Sequence, residues 1–364
     1  MAVVGLGAMG ALSAWRLAAR GAKVIGFERF RPGHDQGSSH GDTRIFRTAY
    51  FESPEYVPLL RRAHGLWRQL EQETGATLLT LTGGLAIGPA DGELVAGVLR
   101  SARESRLPHR LLDAGEMNRL HPQHRLDAGD VAVLDEQAGF LRPERSVAAA
   151  AARAEALGAR LMTETEVTAI EAADGGVIIE TSRGRWAAGR ALVAAGAWTS
   201  KLLPQLGLPL EVERQVMVWL AVDDPGSFSP QRFPIFIREL GGGRFRYGFP
   251  TTDGRSIKLA VHHEGTVTDP DSIEREVEDV DTLPLREFAR EKLRGVTAEV
   301  VDARVCMYTN TPDERFIATS PTQLPGVTVL SACSGHGFKF ASVLGELMAE
   351  LILDGQALPE IIRS

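Results

Sequence analysis

The feature that most constrains the fold is a glycine turn near the start of the chain, Gly5-Leu6-Gly7-Ala8-Met9-Gly10. An apolar run, Ala2-Val3-Val4, precedes the turn, and helix-forming residues follow it over 9–20. A second apolar run covers 23–28. This succession of strand, turn, helix and strand predicts a βαβ unit with a parallel pair of strands.

The spacing of the glycines is G-x-G-x-x-G, and each has a separate function in a dinucleotide site. Gly5 allows a tight turn, Gly7 lets the backbone approach a pyrophosphate, and Gly10 lets the helix pack closely on the strand. Glu28 follows Gly10 by 18 residues, at a strand end where a carboxylate accepts hydrogen bonds from an adenosine ribose. We therefore predict dinucleotide binding in preference to a purely structural turn. The motif alone does not separate FAD from NAD.

Composition excludes several classes of protein. The net charge is −7 and no basic cluster is present, so we expect neither a nucleic acid nor an anionic membrane as partner. No apolar run reaches the length of a membrane span, and the start of the chain lacks the basic region of a signal peptide. Two cysteines, Cys306 and Cys333, do not make a disulfide framework, which favours a cytoplasmic location.

The order of elements predicts an α/β fold with an inserted α+β region. Helices are expected at 55–73, 146–157 and 335–353, a long loop at 29–54, and a solvated acidic surface at 268–282. The longer strands are expected at 78–87, 129–135, 191–198, 212–221, 233–238, 244–249, 256–262, 300–308 and 327–333. We expect a discontinuous Rossmann-like nucleotide-binding domain over 1–80, 137–205 and 313–364. An antiparallel-sheet substrate domain would comprise 81–136 and 206–312.

Two arginines stand out in the loop that follows the βαβ unit. Arg44 and Arg47 are three residues apart, so they can face one anion if they share a helical turn or line one cleft. The alternative is that both are ordinary surface arginines. Spacing alone does not exclude this alternative, because the chain has 35 arginines and only five lysines.

Near the C-terminus a strand and a glycine-rich turn carry further candidates. Cys306 and Tyr308 share one face of the strand, although a buried cysteine is often inert packing. Ser334-Gly335-His336-Gly337-Phe338-Lys339-Phe340 is expected to open a helix, whose N-terminus suits developing negative charge such as that of a reduced flavin ring. A simple helix start with a lysine reaching to solvent is the alternative.

Lys258 and His262 lie four residues apart in an expected strand, and so on one face. The pair His262-His263 raises the question of a metal site. Neighbours in a strand point to opposite faces, and neither HExxH nor CxxC occurs, so we expect no metal.

Taken together, six motifs resemble the monomeric sarcosine oxidase family, which includes N-methyltryptophan oxidases and belongs to the wider group of amine-oxidising flavoproteins that holds D-amino acid oxidase. The resemblance runs along the whole chain. The motifs are the glycine turn at 5–10, His-Gly-Asp-Thr-Arg-x-x-Arg at 40–47, Glu-Tyr-Val-Pro-Leu at 55–59, Tyr-Gly-Phe-Pro at 247–250, Cys-Met-Tyr-Thr at 306–309 and Ser-Gly-His-Gly-Phe-Lys-Phe at 334–340.

The resemblance implies FAD as the cofactor, linked through the Cys306 sulfur to the 8α-methyl group of the flavin. Lys258 would lie near flavin N5 and favour electron transfer to O2, while His40, Thr43 and Arg44 would lie against the other face of the ring. The residues implied to be catalytic are His40, Arg44, Lys258, His262 and Tyr308. Those implied to bind the substrate are Arg47, Tyr247, His262, Tyr308 and Lys339. Those implied to bind the cofactor are Gly5, Gly7, Gly10, Glu28, Ser39, Thr43, Arg44, Cys306, Gly335, His336, Gly337, Phe338 and Lys339.

The implied reaction is oxidation of an N-methyl amino acid by a monomeric enzyme, with release of formaldehyde and H2O2. Two departures bear on the size of the substrate: Ser39 replaces a frequent second histidine, and Ala260-Val261 replaces a bulkier pair. A larger or cyclic secondary amine, or a dehydrogenase that avoids O2, is therefore kept as an alternative. A non-catalytic dinucleotide-binding subunit is a third hypothesis, which the clustered cations disfavour because buried cations without an anionic ligand are costly.

Overall fold

The computed structural model describes residues 1–362 and has mixed α/β architecture. The α-helices in chain order are α1 (Ala8–Ala19), α2 (Val57–Thr74), α3 (Glu93–Glu104), α4 (Ala114–Leu120), α5 (Pro143–Ala156), α6 (Thr199–Leu202), α7 (Asp279–Lys292) and α8 (Ala341–Ala349). The strands are β1 (Ala2–Val4), β2 (Ile25–Phe27), β3 (Arg44–Phe46), β4 (Leu79–Leu81), β5 (Gly84–Pro89), β6 (His109–Leu112), β7 (Asp130–Asp135), β8 (Gly139–Leu141), β9 (Arg160–Met162), β10 (Val167–Ala173), β11 (Gly176–Thr181), β12 (Gly184–Ala188), β13 (Ala191–Val193), β14 (Glu211–Val222), β15 (Ile235–Glu239), β16 (Phe245–Phe249), β17 (Ser256–His262), β18 (Thr266–Val267), β19 (Val296–Asn310), β20 (Ile317–Thr319) and β21 (Val327–Ser331).

The predicted βαβ unit forms the centre of a six-stranded sheet in the order β20-β21-β13-β1-β2-β9. All of its pairs are parallel except β20–β21. Helices α1, α2, α5 and α8 contribute to one apolar core with the sheet, in which Leu12, Trp15 and Leu344 are fully buried. A layered arrangement of this kind buries both faces of short apolar strands, which explains why β1 and β13 carry no polar residue.

A second, largely antiparallel sheet runs in the order β18-β14-β17-β16-β15-β5-β7-β6, and β19 also pairs with β14. The register sets Cys306 opposite Gln215, Lys258 opposite Trp219, and Tyr247 opposite Ala260. The central strands therefore bring residues far apart in sequence to one region of the sheet. The domain boundaries given above stay a prediction.

A small three-stranded sheet, β3-β8-β4, carries Arg44. The expected loop over 29–54 thus contains a strand, which its short length hid from a search for alternating runs. Helix α7 was also missed: the region 268–282 was expected to be solvated, yet α7 begins at Asp279 and buries Thr282 in its first turn and Leu285 and Phe288 further along. Its high content of acidic residues concealed a one-sided apolar pattern.

The structure also corrects the helix expected at 335–353. Phe338–Phe340 form a 3₁₀ turn, and the α-helix begins only at Ala341. Gly335 lies before both with φ of 73°, a conformation that favours glycine. The Gly335 segment is therefore a turn, in which the His336 and Gly337 amides donate to the Cys333 carbonyl oxygen, and it is not the first turn of an α-helix. The helices α3 and α4 and strand β6 were not predicted either.

Candidate active site

The three motif glycines meet three different spatial conditions. Gly5 has φ of 84°, and a Cβ there would lie 2.6 Å from the Ala194 carbonyl oxygen. A Cβ on Gly10 would lie 1.7 Å from the Gly5 carbonyl oxygen, so helix and strand cannot separate to admit a side chain without disrupting the turn. A Cβ on Gly7 would meet only the Ser39 Oγ, at 3.7 Å. The backbone at Gly7 is thus open to an approaching group, as a pyrophosphate cradle requires.

A cavity of about 390 Å³ extends from this turn. Glu28 lies in its wall, and the carboxylate accepts hydrogen bonds from the backbone amides of Leu6 at 2.7 Å and Phe30 at 2.9 Å. These bonds fix the carboxylate at the end of β2 and leave lone pairs for a further donor. The other predicted cofactor-binding residues in this wall are Gly5, Gly7, Ser39, Arg44, Gly335, Gly337 and Phe338.

One end of this cavity is closed by polar contacts across the chain. Asp271 accepts hydrogen bonds from Arg29 and from the Trp198 indole, both at 2.8 Å, and from Lys201 at 2.6 Å. Lys201 also donates to Asp269 at 2.6 Å. Asp269 and Asp271, at the beginning of the acidic region, therefore form side-chain contacts beside the cavity, although the sequence predicted only a solvated surface there.

A second cavity of about 70 Å³ adjoins the first. Both cavities are lined by Arg44, Tyr308, Gly335 and Phe338, so they meet at these residues. The second cavity contains all of the predicted substrate-binding residues, namely Arg47, Tyr247, His262, Tyr308 and Lys339. It also contains Cys306 and His336. Folding thus gathers residues from five separate elements: the loop after β3, the strands β16, β17 and β19, and the 3₁₀ turn at Phe338–Phe340.

The two arginines of the loop bind different partners. Arg44 donates to the Ser38 and Thr43 carbonyl oxygens, both at 2.9 Å, and to the Cys306 sulfur at 3.3 Å. Arg47 donates instead to Glu52 at 2.5 Å. They line one cleft without sharing a helical turn, because Arg44 lies in β3.

Lys339 and Arg47 place two buried cationic side chains in the second cavity. Burial, followed by repulsion from Arg47, lowers the pKa of Lys339 to about 7. The Lys339 Nζ donates to the His336 carbonyl oxygen at 2.7 Å. One guanidinium nitrogen of Arg47 and one carboxylate oxygen of Glu52 have no hydrogen-bond partner among the described residues. Unsatisfied buried polar atoms of opposite sign are suited to a ligand that is itself zwitterionic.

Glu52 is a residue that the sequence analysis missed. Burial acts to raise its pKa, but Arg47, His336 and Lys339 together lower it below the ordinary value. The only sequence signal was an acidic residue five positions after Arg47, which does not specify a pair in an irregular loop.

Tyr247, Tyr308 and His262 form a contiguous wall. The two tyrosine hydroxyls are 3.3 Å apart, and His262 Nδ1 is 3.4 Å from the Tyr308 hydroxyl. Burial raises the pKa of both tyrosines and lowers that of His262 well below 6.5. This wall is therefore neutral at physiological pH and faces the cations across the cavity.

Four predicted residues are absent from the residues that line either cavity within the described chain: Gly10, His40, Thr43 and Lys258. Lys258 Nζ donates to the Gly41 carbonyl oxygen at 2.8 Å and to that of Thr43 at 2.6 Å. Burial, followed by Arg44, lowers the pKa of Lys258 well below 10.5. Burial lowers the pKa of His40 to about 3, and neither of its ring nitrogens has a partner among the described residues. Their catalytic roles remain predictions.

His336 connects the glycine turn to the loop that carries Arg47. Its Nδ1 is 2.6 Å from the Tyr50 hydroxyl, and its Nε2 is 2.9 Å from the Glu314 carbonyl oxygen. Burial lowers the pKa of His336 to about 4, so the ring is neutral. No local pattern indicated the contact of Tyr50, because its partner lies 286 residues away.

The site fits an FAD-type dinucleotide. The glycine cradle is open at Gly7, the long cavity runs from Glu28 to Phe338, and a cationic pocket adjoins its far end. Cofactors of this type bind where a Gly-rich turn meets a helix N-terminus at the carboxyl edge of a parallel sheet. The fold and the joined cavities thus define a dinucleotide-binding oxidoreductase.

Comparison with known proteins names the family. The family model described as DAO, FAD dependent oxidoreductase, matches residues 1–351. The chain therefore belongs to this family and is an FAD-dependent oxidoreductase. It is 42% identical to monomeric sarcosine oxidase of Streptomyces avermitilis, over 97% of this chain and 93% of that protein. It is 35% identical to N-methyl-L-tryptophan oxidase of Salmonella arizonae, over 97% of this chain and 94% of that protein.

Solved structures agree on the fold. NikD, described as an unusual amino acid oxidase essential for nikkomycin biosynthesis, superposes with a TM-score of 0.87 at 24% identity, covering 99% of this chain and 95% of its own. L-proline dehydrogenase from P. horikoshii superposes with a TM-score of 0.84 at 22% identity, covering 99% and 94%. Within residues 1–362, every helix is too short or too polar to cross a bilayer.

Proposed function

We propose that this protein is an FAD-dependent oxidase of N-methyl amino acids, with sarcosine-like secondary amines as its substrates. The observation that carries the proposal is the pairing of Arg47 and Lys339 in a small buried cavity that joins the cofactor cavity. When Lys339 is protonated, the two positive charges face only the single negative charge of Glu52, which leaves a place for one further anion, and a carboxylate accepts a bidentate arginine contact. The likeness to sarcosine and N-methyltryptophan oxidases supports an amino acid as the source of that carboxylate.

Each side chain of the pocket then has a definite task. Arg47 and Lys339 bind the substrate carboxylate, which fixes the N-methyl group relative to the cofactor and removes its rotational freedom. Tyr247, Tyr308 and His262 form the neutral wall, which excludes water and accepts or donates hydrogen bonds to the amine. Because burial lowers the pKa of His262 well below 6.5, the ring is neutral and can accept a hydrogen bond from the protonated amine of the substrate.

When bound, FAD supplies the acceptor for a hydride equivalent from the N-methyl carbon and passes two electrons to O2. Cys306 lies in the pocket wall with its sulfur 3.3 Å from the Arg44 guanidinium, a position from which it could form a covalent bond to the cofactor. The Gly335 turn and the Arg44 guanidinium line the cofactor cavity and would stabilise negative charge that develops on the ring. Lys258 is proposed to favour reaction with O2. This needs its protonated form, which its two carbonyl acceptors favour and burial opposes.

The small volume of the cavity favours a short substrate such as sarcosine over N-methyltryptophan. Cyclic substrates such as proline or pipecolate are the second candidate, because Ala260 in the cavity wall provides space where some sarcosine-active relatives have a bulkier residue. We propose that the enzyme acts as a monomer and that formaldehyde and H2O2 are the products from an N-methyl substrate.

The deciding experiment is a substrate panel with peroxide release as the readout. We expect turnover with sarcosine and other N-methyl amino acids, and formaldehyde in equal amount to peroxide. Reduction of the flavin without peroxide would indicate a dehydrogenase. Cofactor binding without reduction by any amine would indicate a non-catalytic subunit and contradict the proposal.

A further inference from the structure

The turn that ends β17, beside the wall of the substrate cavity, has unusual backbone geometry. His263 has φ of 50° and Glu264 has φ of 133°, and neither is glycine. Non-glycine residues hold such conformations only where their surroundings over-determine them, and they concentrate at functional sites. The preceding residue is His262, which lines the cavity.

The carboxylate of Glu213 on β14 holds this turn through its backbone amides. It accepts hydrogen bonds from the backbone amides of Gly265 at 2.5 Å and Glu264 at 3.1 Å. Asn310 donates to its other oxygen at 2.6 Å. Glu264 in turn forms a two-fold ion pair with the buried Arg246, at 2.6 and 3.1 Å. The backbone of the turn is therefore held from two strands.

The His263 ring lies between two carboxylates. Its Nδ1 is 3.6 Å from Glu213 and its Nε2 is 3.7 Å from Glu314, which belongs to the loop before β20. Both distances are long for hydrogen bonds, so the attraction is mainly electrostatic. Burial acts to lower the pKa of His263, but Glu213 and Glu314 raise it above 6.5. When protonated, His263 thus connects the turn to the loop that also binds His336 through the Glu314 carbonyl oxygen.

The other side of the same ring contacts the substrate wall. The ring centre of His263 is 4.3 Å from that of His262 and 5.4 Å from that of Tyr308. These two residues have little room: a Cβ on Gly335 would lie 2.6 Å from Tyr308 and 2.7 Å from His262. A displacement of His263 is therefore passed to both wall residues, because close-packed groups do not shift independently.

We propose that His263 is a positioning residue, held between the carboxylates of Glu213 and Glu314, which fixes His262 and Tyr308 for binding of the substrate. This inference rests on the proposed function, since it concerns the same cavity. Binding of a ligand in the cavity would then depend on His263, a residue that does not itself line the cavity.

The arrangement predicts how the contribution of His263 to the turn depends on pH. The groups that face His263 are Glu213 on β14, Glu314 in its loop, His262 on β17 and Tyr308 on β19. Three further groups act on His262 from across the cavity: Arg47, His336 and Lys339. Because the folded-state pKa of His263 is raised, its contribution is complete below pH 6.5 and is lost as pH rises through that higher pKa. Above it, two carboxylates lose the cation between them and the turn is held less firmly.

The test uses the FAD-loaded protein and methoxyacetate, in which an ether oxygen replaces the amine of sarcosine so that no oxidation follows. Its Kd is measured from the flavin absorbance change between pH 5.5 and 9, for the wild type, His263→Asn and Glu314→Gln. Asparagine tolerates a positive φ, so this variant retains the backbone preference and removes only the charge and the ring. His109→Asn, on β6 and away from both cavities, is the matched control.

We expect His263→Asn to weaken binding about threefold at pH 6 and to match the wild type at pH 9. Glu314→Gln should weaken binding in the same direction, and its effect should vanish in the double variant. A loss of equal size at all pH values would show a structural role only and overturn the proposal, as would wild-type binding by both variants at pH 6. If methoxyacetate fails to bind the wild type at any pH, the proposed function itself fails and this inference with it.

Discussion

Arg47, in the wall of the cavity where a substrate carboxylate would bind, forms an ion pair with Glu52 at 2.5 Å. A bound carboxylate must therefore share Arg47 with an acid that the chain itself supplies. Lys339 lies in the same cavity and acts on Glu52 from the other side, since it contributes to lowering the pKa of that acid. The charge balance of the empty pocket is set by these three side chains.

Glu52→Gln should strengthen binding of an anionic ligand. In the wild type, the carboxylates of Glu52 and of the ligand repel each other in a desolvated pocket. Removing the charge of Glu52 should therefore lower the Kd of methoxyacetate about tenfold, which corresponds to about 1.4 kcal/mol. Titration of the flavin absorbance measures this Kd. Glu55→Gln, at an exposed position three residues away, is the control and should leave it unchanged. Weaker binding by Glu52→Gln would mean that Glu52 serves mainly to hold Arg47 in place.

Binding of the same ligand should weaken as pH rises through about 7, because Lys339 loses its proton there in the empty pocket. Lys339→Met should bind poorly at pH 6 and lose most of this pH dependence. For folding the sign is opposite. The folded-state pKa of Lys339 is lower than 10.5, so between about 7 and 10.5 the unfolded chain binds more protons and the contribution of Lys339 to stability increases with pH. A Lys339→Met titration with the wild-type pH profile would refute its role in binding.

Cys306→Ala should yield protein whose flavin is released on denaturation, whereas the wild type should retain yellow colour on the polypeptide. Cys333→Ala is a matched control, because this thiol also lines the cofactor cavity but accepts a hydrogen bond from the Thr309 amide at 3.3 Å. Absorbance of the precipitated protein measures the outcome. A colourless wild-type precipitate would exclude a covalent link, and retained colour in Cys306→Ala would place the link elsewhere.

Lys258→Met should slow reoxidation of the reduced enzyme by O2 about a hundredfold, and flavin reduction by substrate much less. The side chain lies behind the backbone of Gly41 and Thr43, so its action on the cofactor site would be electrostatic. Stopped-flow absorbance separates the two half-reactions. Lys23→Met, at an exposed position, is the control. Equal slowing of both half-reactions would contradict the assignment.

Two helical glycines should respond in opposite ways to alanine. Gly10→Ala places a Cβ 1.7 Å from the Gly5 carbonyl oxygen and should destabilise the protein by about 3 kcal/mol and abolish FAD binding. Gly65→Ala, in the exposed face of α2, meets no atom within 4 Å and should stabilise by about 1 kcal/mol. Chemical denaturation measures both. Normal FAD content in Gly10→Ala would show that the turn tolerates a wider spacing than its geometry indicates.

The local pattern of the sequence predicted the βαβ unit and most strands, because each depends on residues within a short window. The glycine turn and strand β17 agree closely with their predicted ranges. The prediction missed helix α7 because four acidic residues are interspersed among its apolar ones, and burial of Leu285 and Phe288 against the second sheet decided its conformation. The prediction missed strand β3 because three residues give too short a pattern. Its extended conformation is instead decided by its pairing with β8.

The sequence by itself determined the βαβ cradle and the kinds of residue available for the site, since glycine spacing and residue chemistry are local properties. Only the tertiary structure decided that Arg47 pairs with Glu52, that Lys258 lies behind the loop, and that His263 lies between two carboxylates. These relationships depend on strand register and on the packing of loops from distant parts of the chain. No local pattern encodes the distance between such groups, and that distance sets their charge and their chemistry.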